Sequence, residues 1–146
     1  IGKALIMRKA KMQSFVAKST FEAECGALST LITEMVWCKS LIQEIQSWKD
    51  DGFEDGSVVL VDNQGTVKAA NQHKLTHRNK TVAIKFHHVR DQVEKKVVKI
   101  KHVRTNWNLA DVLTKPMPAN KFEVFADWML GNDLKAWDEV LKHANC

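Results

Sequence analysis

Apolar residues in the first third of the chain repeat with the period of a helix. Phe21, Cys25, Leu28, Ile32, Met35, Ile42 and Ile45 fall at helical spacing, which predicts one long amphipathic helix over residues 20–48. Ser19 and Glu22 have the spacing of a capping box at its start, hydroxyl and carboxylate each satisfying an end-of-helix amide. The Asp50-Asp51-Gly52 loop closes it. The pattern then changes. Ser57-Val58-Val59-Leu60-Val61 is a continuous β-branched and apolar run, as expected of a strand buried on both faces. It stops at Asp62-Asn63-Gln64-Gly65, and a short helix is expected to about Asn71. After a basic loop through Arg78, Val82, Phe86, Val89 and Val93 mark a second amphipathic helix. Residues 97–103 alternate apolar positions with Lys99 and Lys101, the mark of a half-buried strand. Asn108 is a natural N-cap for a helical turn ending before Pro116. Two helices are expected near 119–130 and 133–143, separated by Gly131-Asn132. The mixed apolar and basic segment 5–16 reads as a weak strand running into a turn. The order of elements is that of an α/β domain with few strands for its length.

Composition narrows the class. The chain has 146 residues, 45% hydrophobic and 27% charged, with six Gly and two Pro. That excludes a collagen, a low-complexity tail or a disordered linker. A chain of this length buries about 68–70% of the surface it exposes when unfolded, enough for one domain. No apolar run approaches the roughly 18–20 residues of a membrane span, so a soluble chain with no membrane contact is expected. The chain starts at Ile1, and Lys3, Arg8, Lys9, Lys11 and Lys18 interrupt any signal-peptide core; it reads as a fragment of something larger. Cys25 and Cys38 share the long helix about 20 Å apart, beyond disulfide reach. A reducing, intracellular compartment is expected.

Charge is unevenly spread. The net +5 divides into blocks: residues 1–18 carry five Lys/Arg and no acid, and 19–56 two bases against eight acids. Residues 57–104 hold eleven Lys/Arg against three acids, and 105–146 four against six. The middle block is where a polyanion would meet the chain. Without such a partner it is a solvated basic face.

Three acids occupy informative positions. Asp62 ends the buried strand, and ligands bind at the carboxyl ends of strands in open α/β sheets. Glu24 borders the apolar stripe of the long helix, one turn from Leu28. Asp111 lies in the first turn after Asn108. Carboxylates converging from separate elements would make a hard oxygen site suited to Mg²⁺, where two ions activate water and stabilise a leaving oxygen. Among the histidines, His73, His77, His87, His88 and His102 show no paired zinc spacing. Trp37, Trp48, Trp128 and Trp137 fall on helices as core or interface residues; Trp107, just before Asp111, is the aromatic placed for substrate contact.

Four blocks carry a family resemblance. Ser19-Thr20-Phe21-Glu22-Ala23-Glu24 resembles the S-T-x-E-A-E that opens the first helix of the ribonuclease H domain in copia-type LTR retrotransposon polyproteins. Val61-Asp62-Asn63-Gln64 resembles that family's D-N-Q, and Phe86-His87-His88-Val89-Arg90 its Y-H-F-V-R. The run from His102-Val103-Arg104-Thr105 through Asn108-Leu109-Ala110-Asp111-Val112-Leu113-Thr114-Lys115-Pro116, then Pro118 and Lys121-Phe122, is similar to V-x-T…N-x-A-D-x-L-T-K-P-x-P…K-F. The match runs in order from about Ala4 to Leu130, with one inserted residue near 72–80. It implies a ribonuclease H-like fold, Mg²⁺-dependent cleavage of RNA in an RNA–DNA hybrid, and catalytic, metal-holding roles for Glu24, Asp62 and Asp111. Nucleic-acid contacts are then expected at Asn63, Gln64, Lys80, Lys85 and Arg104.

The departures point elsewhere. The family's first catalytic Asp lies on its first strand, upstream of Ile1, so the sheet is expected to lack strands one and two. The single expected domain, 1–146, then consists of a remnant strand and basic turn over 1–18, a family-like part over 19–130, and an additional helix over 131–146. The family's H-I-D is Thr81-Val82-Ala83 here, its Tyr after A-E is Cys25, and no His precedes Asp111 in its loop. An incomplete sheet has edges that demand pairing. Two readings follow. In one, a retrotransposon-derived scaffold has lost its chemistry and binds a protein partner, another copy or nucleic acid, its open sheet edge being the protein contact. In the other, it is the Mg²⁺-dependent ribonuclease H of a reverse transcriptase, its missing strands supplied elsewhere. The lost Asp, the altered H-I-D and the apolar tail (Leu134, Trp137, Val140, Leu141) favour the first.

Overall fold

The computed structural model describes residues 5–46, 56–71, 83–133 and 135–144. In order these form α1 (Thr20–Gln46), β1 (Ser57–Val61), α2 (Gln64–Asn71), α3 (Ala83–Glu94), β2 (Val98–His102), two 3-10 turns (Thr105–Trp107 and Leu109–Leu113), α4 (Ala119–Leu130) and α5 (Ala136–His143). The described fold is α/β, five helices with a two-stranded parallel sheet. Two compact units divide it: residues 13–101, and residues 1–12 together with 102–146.

The larger unit is built around α1. The Ser19 hydroxyl accepts the Glu22 N–H at 3.2 Å, and the Glu22 carboxylate accepts the Lys18 N–H at 2.8 Å. This is the expected capping box, shifted by one residue on its return bond. The stripe Cys25, Leu28 and Ile32 is buried, with Ile32 fully enclosed. Leu28 and Ile32 join Val59, Val61, Ala70, Val89, Val98 and Ile100 in one core, so three helices and both strands share a single apolar interior. Burying such side chains supplies about 1.5–3 kcal/mol each. Thr20–Ile45 is also long and apolar enough, by length and composition, to cross a membrane. Its apolar content is split: Leu31, Trp37, Leu41 and Ile45 are exposed while the other stripe packs inside the protein.

Helix ends follow local chemistry. At the end of α3, Val97 N–H bonds the Gln92 carbonyl and Lys96 N–H that of Val93, both at 3.0 Å, with Lys96 in the left-handed region (φ 57°). At the end of α4, Gly131 (φ 78°) and Asn132 repeat the arrangement onto Trp128 and Asp127. Both are Schellman closures, and the second places the predicted break at Gly131-Asn132.

Two sequence expectations are corrected. Residues 5–13 form no strand; the apolar-basic mixture has extended propensity, but propensity alone does not make a paired strand. Nor is β1 buried on both faces. Val59 and Val61 are buried in the core they share with α1, α2 and α3, whereas Val58 is 40% exposed and Leu60 half-buried. On β2 the expected alternation holds, Val98 and Ile100 being buried and Lys99 exposed. The Asp50-Asp51-Gly52 stop and the basic loop through Arg78 lie outside the described residues.

In the smaller unit, Trp107 stacks on Trp128 of α4 with centroids 5.8 Å apart and on His143 of α5 at 4.1 Å. Within α4 Trp128 stacks on Phe125 with centroids 5.5 Å apart, and Val140 of α5 and Ala144 just after it are buried. The tail helix expected after Gly131 is present, packed within this unit.

Candidate functional site

Asp62 stands where β1 gives way to α2. Asn63 caps that helix: its side-chain oxygen accepts the Thr66 N–H at 3.1 Å and its carbonyl the Val67 N–H at 3.1 Å. The D-N-Q block is thus a strand-to-helix junction, with the half-buried Asp62 at the carboxyl end of the strand. Among the described residues Asp62 has no hydrogen-bond or ion-pair partner. Asn63, proposed from sequence for nucleic acid, spends its side-chain oxygen on the cap. Gln64 is exposed.

Glu24 is half-buried on α1, engaged in an interaction of its own. Beside it Cys25 is almost fully enclosed, and its thiol is pushed up to about 12 by burial first, then by the Glu24 and Glu22 carboxylates. A thiol held neutral in this way is inert as a nucleophile.

Asp111 lies in the 3-10 turn that Asn108 caps, the Asn108 side chain accepting the Ala110 N–H at 3.3 Å. Its carboxylate is taken up locally. Lys115 donates to one oxygen at 2.8 Å and the Asn108 side-chain amide to the other at 3.2 Å. The Asp111 side chain is only 15% exposed, so little of it is left for water or an ion. Glu24 and Asp62 belong to the larger unit and Asp111 to the smaller. Among the described residues no three His, Cys, Asp or Glu side chains gather as a metal site.

The basic residues are equally mixed. Lys85 lays its ammonium over the Phe15 ring, 3.3 Å from the centroid, which sequesters its charge against the start of α1. Arg104 is exposed, and Lys80 lies outside the described residues. His88 shares a hydrogen bond with the Ser29 hydroxyl at 3.2 Å, while His87 is exposed. Trp107 is not a substrate platform: it is stacked between His143 at 4.1 Å and Trp128 at 5.8 Å. Its position in a loop hid two partners that are remote in sequence.

Two residues escaped sequence reasoning. Thr66 is fully buried and its hydroxyl has no partner among the described residues. Arg90 is 8% exposed, its guanidinium 5.6 Å above the Phe86 ring. The Y-H-F-V-R resemblance marked the Arg90 position, but nothing in it signalled burial.

Comparison with known proteins places the chain among mobile-element sequences. It is 34% identical over 116 residues, 80% of its length, to the retrovirus-related Pol polyprotein from transposon TNT 1-94 of Nicotiana tabacum. Against the retrovirus-related Pol polyprotein from transposon RE1 of Arabidopsis thaliana it is 32% identical over 126 residues, 86% of its length. The Gag-Pol polyprotein of transposon Ty1-DR1 of Saccharomyces cerevisiae is 30% identical over 122 residues, 82% of this chain. The chain spans 8% of the length of the first two relatives and 7% of the third. No family model and no solved structure matches it. Its homologues are copia-type retrotransposon Pol and Gag-Pol polyproteins.

Proposed function

We propose that this chain is a ribonuclease H-like module of retrotransposon descent that acts by binding, without cutting nucleic acid. The observation that carries the reading is the state of Asp111. Its two carboxylate oxygens are held by Lys115 and Asn108, where a hydrolytic centre needs them turned toward a metal ion. Support also comes from the sheet: β1 presents Val58 and Leu60 on an incompletely covered face and, among the described residues, pairs on one side only. Such an edge is a template for an added strand. The binding function is assigned to that edge, with a protein as the partner.

The second reading, Mg²⁺-dependent cleavage of RNA in a hybrid, is favoured by one feature, Asp62 at the carboxyl end of β1, which has no partner among the described residues. The two readings separate in calorimetry of Mg²⁺ and Mn²⁺ titrated into the full chain. The binding module gives no saturable heat. A saturable site abolished by Asp62→Asn and by Asp111→Asn would assign the carboxylates to a metal centre and sink the proposal.

A further inference from the structure

Arg90 carries a charge that nothing described in the chain balances. It lies on α3 and is 8% exposed, its guanidinium 5.6 Å from the centre of the Phe86 ring. A guanidinium does not give up its proton, and its five N–H donors lie in one plane. Contact with an aromatic face leaves those in-plane donors unspent. Among the described residues none of them finds a hydrogen-bond or ion-pair acceptor. A buried charge is costly to leave in this state, and buried charges are paired as a rule.

The acids on the elements around it are engaged elsewhere. On α3 itself Asp91 accepts from Lys95 at 2.8 Å and from Gln92 at 3.0 Å, and Glu94 has an interaction of its own. The Phe86 ring beneath Arg90 packs with Cys25 and Phe21 of α1 and with Ala69 of α2. On that stretch of α1, Glu22 accepts the Lys18 N–H and Glu24 is likewise engaged. α2 holds no acid.

The position is open to an anion from outside. Thr66 Oγ1 is the one enclosed side-chain nitrogen or oxygen without a partner among the described residues. The unbonded Arg90 nitrogens are therefore not sealed in, and keep contact with solvent although the residue as a whole is buried. The surrounding sequence is basic: Lys85, His87, His88 and Arg90 fall within six residues that include no acid. Of these, Lys85 lies over Phe15 and His88 against Ser29, so the fork free to grip an anion is that of Arg90.

We infer that Arg90 anchors a phosphate-binding site, gripping a free or terminal phosphate through two parallel N–H···O bonds. So enclosed a fork admits a group with three open oxygens. A phosphodiester inside a strand brings a sugar on each side and does not fit it. The inference stands apart from the binding reading above, which concerns Asp111 and the edge of β1.

The test is thermal unfolding of the full chain against inorganic phosphate, with NaCl at matched ionic strength as the reference. Phosphate also stabilises proteins by exclusion from their surface, so the readout is the difference between wild type and Arg90→Met. At roughly ten times its Kd, phosphate should raise the wild-type Tm by about 3–6 °C more than that of Arg90→Met. Arg90→Lys, which lacks the planar fork, should lose most of that difference. Without phosphate, Arg90→Met should be at least as stable as wild type, because an apolar side chain of similar volume relieves an unpaired charge. Equal shifts in wild type and Arg90→Met overturn the inference. So does a fall of several degrees in Arg90→Met without phosphate, the sign of a counter-charge already in place. Calorimetry on the wild type needs no variant: saturable heat with inorganic phosphate or phenyl phosphate, and none with dimethyl phosphate, supports the site. Heat with none of the three, or equal heat with the diester, overturns it. Tighter binding of phenyl phosphate assigns the site to a terminal group on a larger molecule, and tighter binding of inorganic phosphate to the free ion. These titrations contain no divalent metal, so their failure and that of the metal titration are separate results.

Discussion

Thr66 sits in the first turn of α2, four residues after Asp62, with its hydroxyl enclosed and unpartnered among the described residues. Its N–H is satisfied by Asn63, so the orphan is the hydroxyl alone. Thr66→Val replaces that hydroxyl by a methyl of nearly the same shape in the same β-branched frame. The two residues have similar helix propensity, so that contribution cancels. What changes is the buried polar group, whose desolvation without a partner costs about 1–3 kcal/mol. Thr66→Val should therefore stabilise the chain by about 1–2 kcal/mol. For a chain of this size each 1 kcal/mol raises Tm by about 3 °C. Urea unfolding should show a higher midpoint at unchanged slope, the sign of altered stability without altered compactness. A loss of stability would refute the reasoning, because it would show that the hydroxyl is bonded, to water or otherwise. Thr66→Ala, which also opens a small cavity, should then differ from Thr66→Val in sign.

Other outcomes follow from helix ends and from the buried thiol. Gly131→Ala puts a Cβ in the left-handed region at the end of α4 and should cost about 1–2 kcal/mol in urea unfolding. Lys96→Gly relieves the same strain at the end of α3 and should gain about 0.5–1 kcal/mol; equal effects at both positions would contradict the cap assignments. The Cys25 thiol stays protonated in the folded chain to about pH 12, while the unfolded chain ionises near 9.0. Its contribution is therefore complete below pH 9.0 and is lost as pH rises toward 12. Cys25→Ala should flatten the alkaline fall in stability, and iodoacetamide should label Cys38 well before Cys25.

What the sequence made legible was mostly local. The capping box at Ser19, the Asn108 cap and the Gly131 break depend on residues within one turn of each other, and all appear where expected. The helical stripe Cys25, Leu28 and Ile32 is buried for the same reason. Non-local facts were harder. A continuous apolar run such as β1 tells that a strand is apolar, and is silent on whether both faces find cover. Residues 5–16 read as a strand because propensity is a property of the segment, while pairing is a property of its neighbours. Trp107 looked available because its partners, Trp128 and His143, are 21 and 36 positions away. Asp111 was legible as a candidate by position, and the Lys115 that occupies it stands four residues on, within helical reach. Read together, Asp111 and Lys115 already describe a local ion pair as readily as a metal ligand.

The most direct measurement is cleavage of a labelled RNA–DNA hybrid by the full chain in Mg²⁺, and again in Mn²⁺, beside Asp62→Asn. A binding module leaves the hybrid intact, with wild type and variant indistinguishable. Cleavage by the wild type that Asp62→Asn abolishes would contradict the central claim and restore the chain as a nuclease.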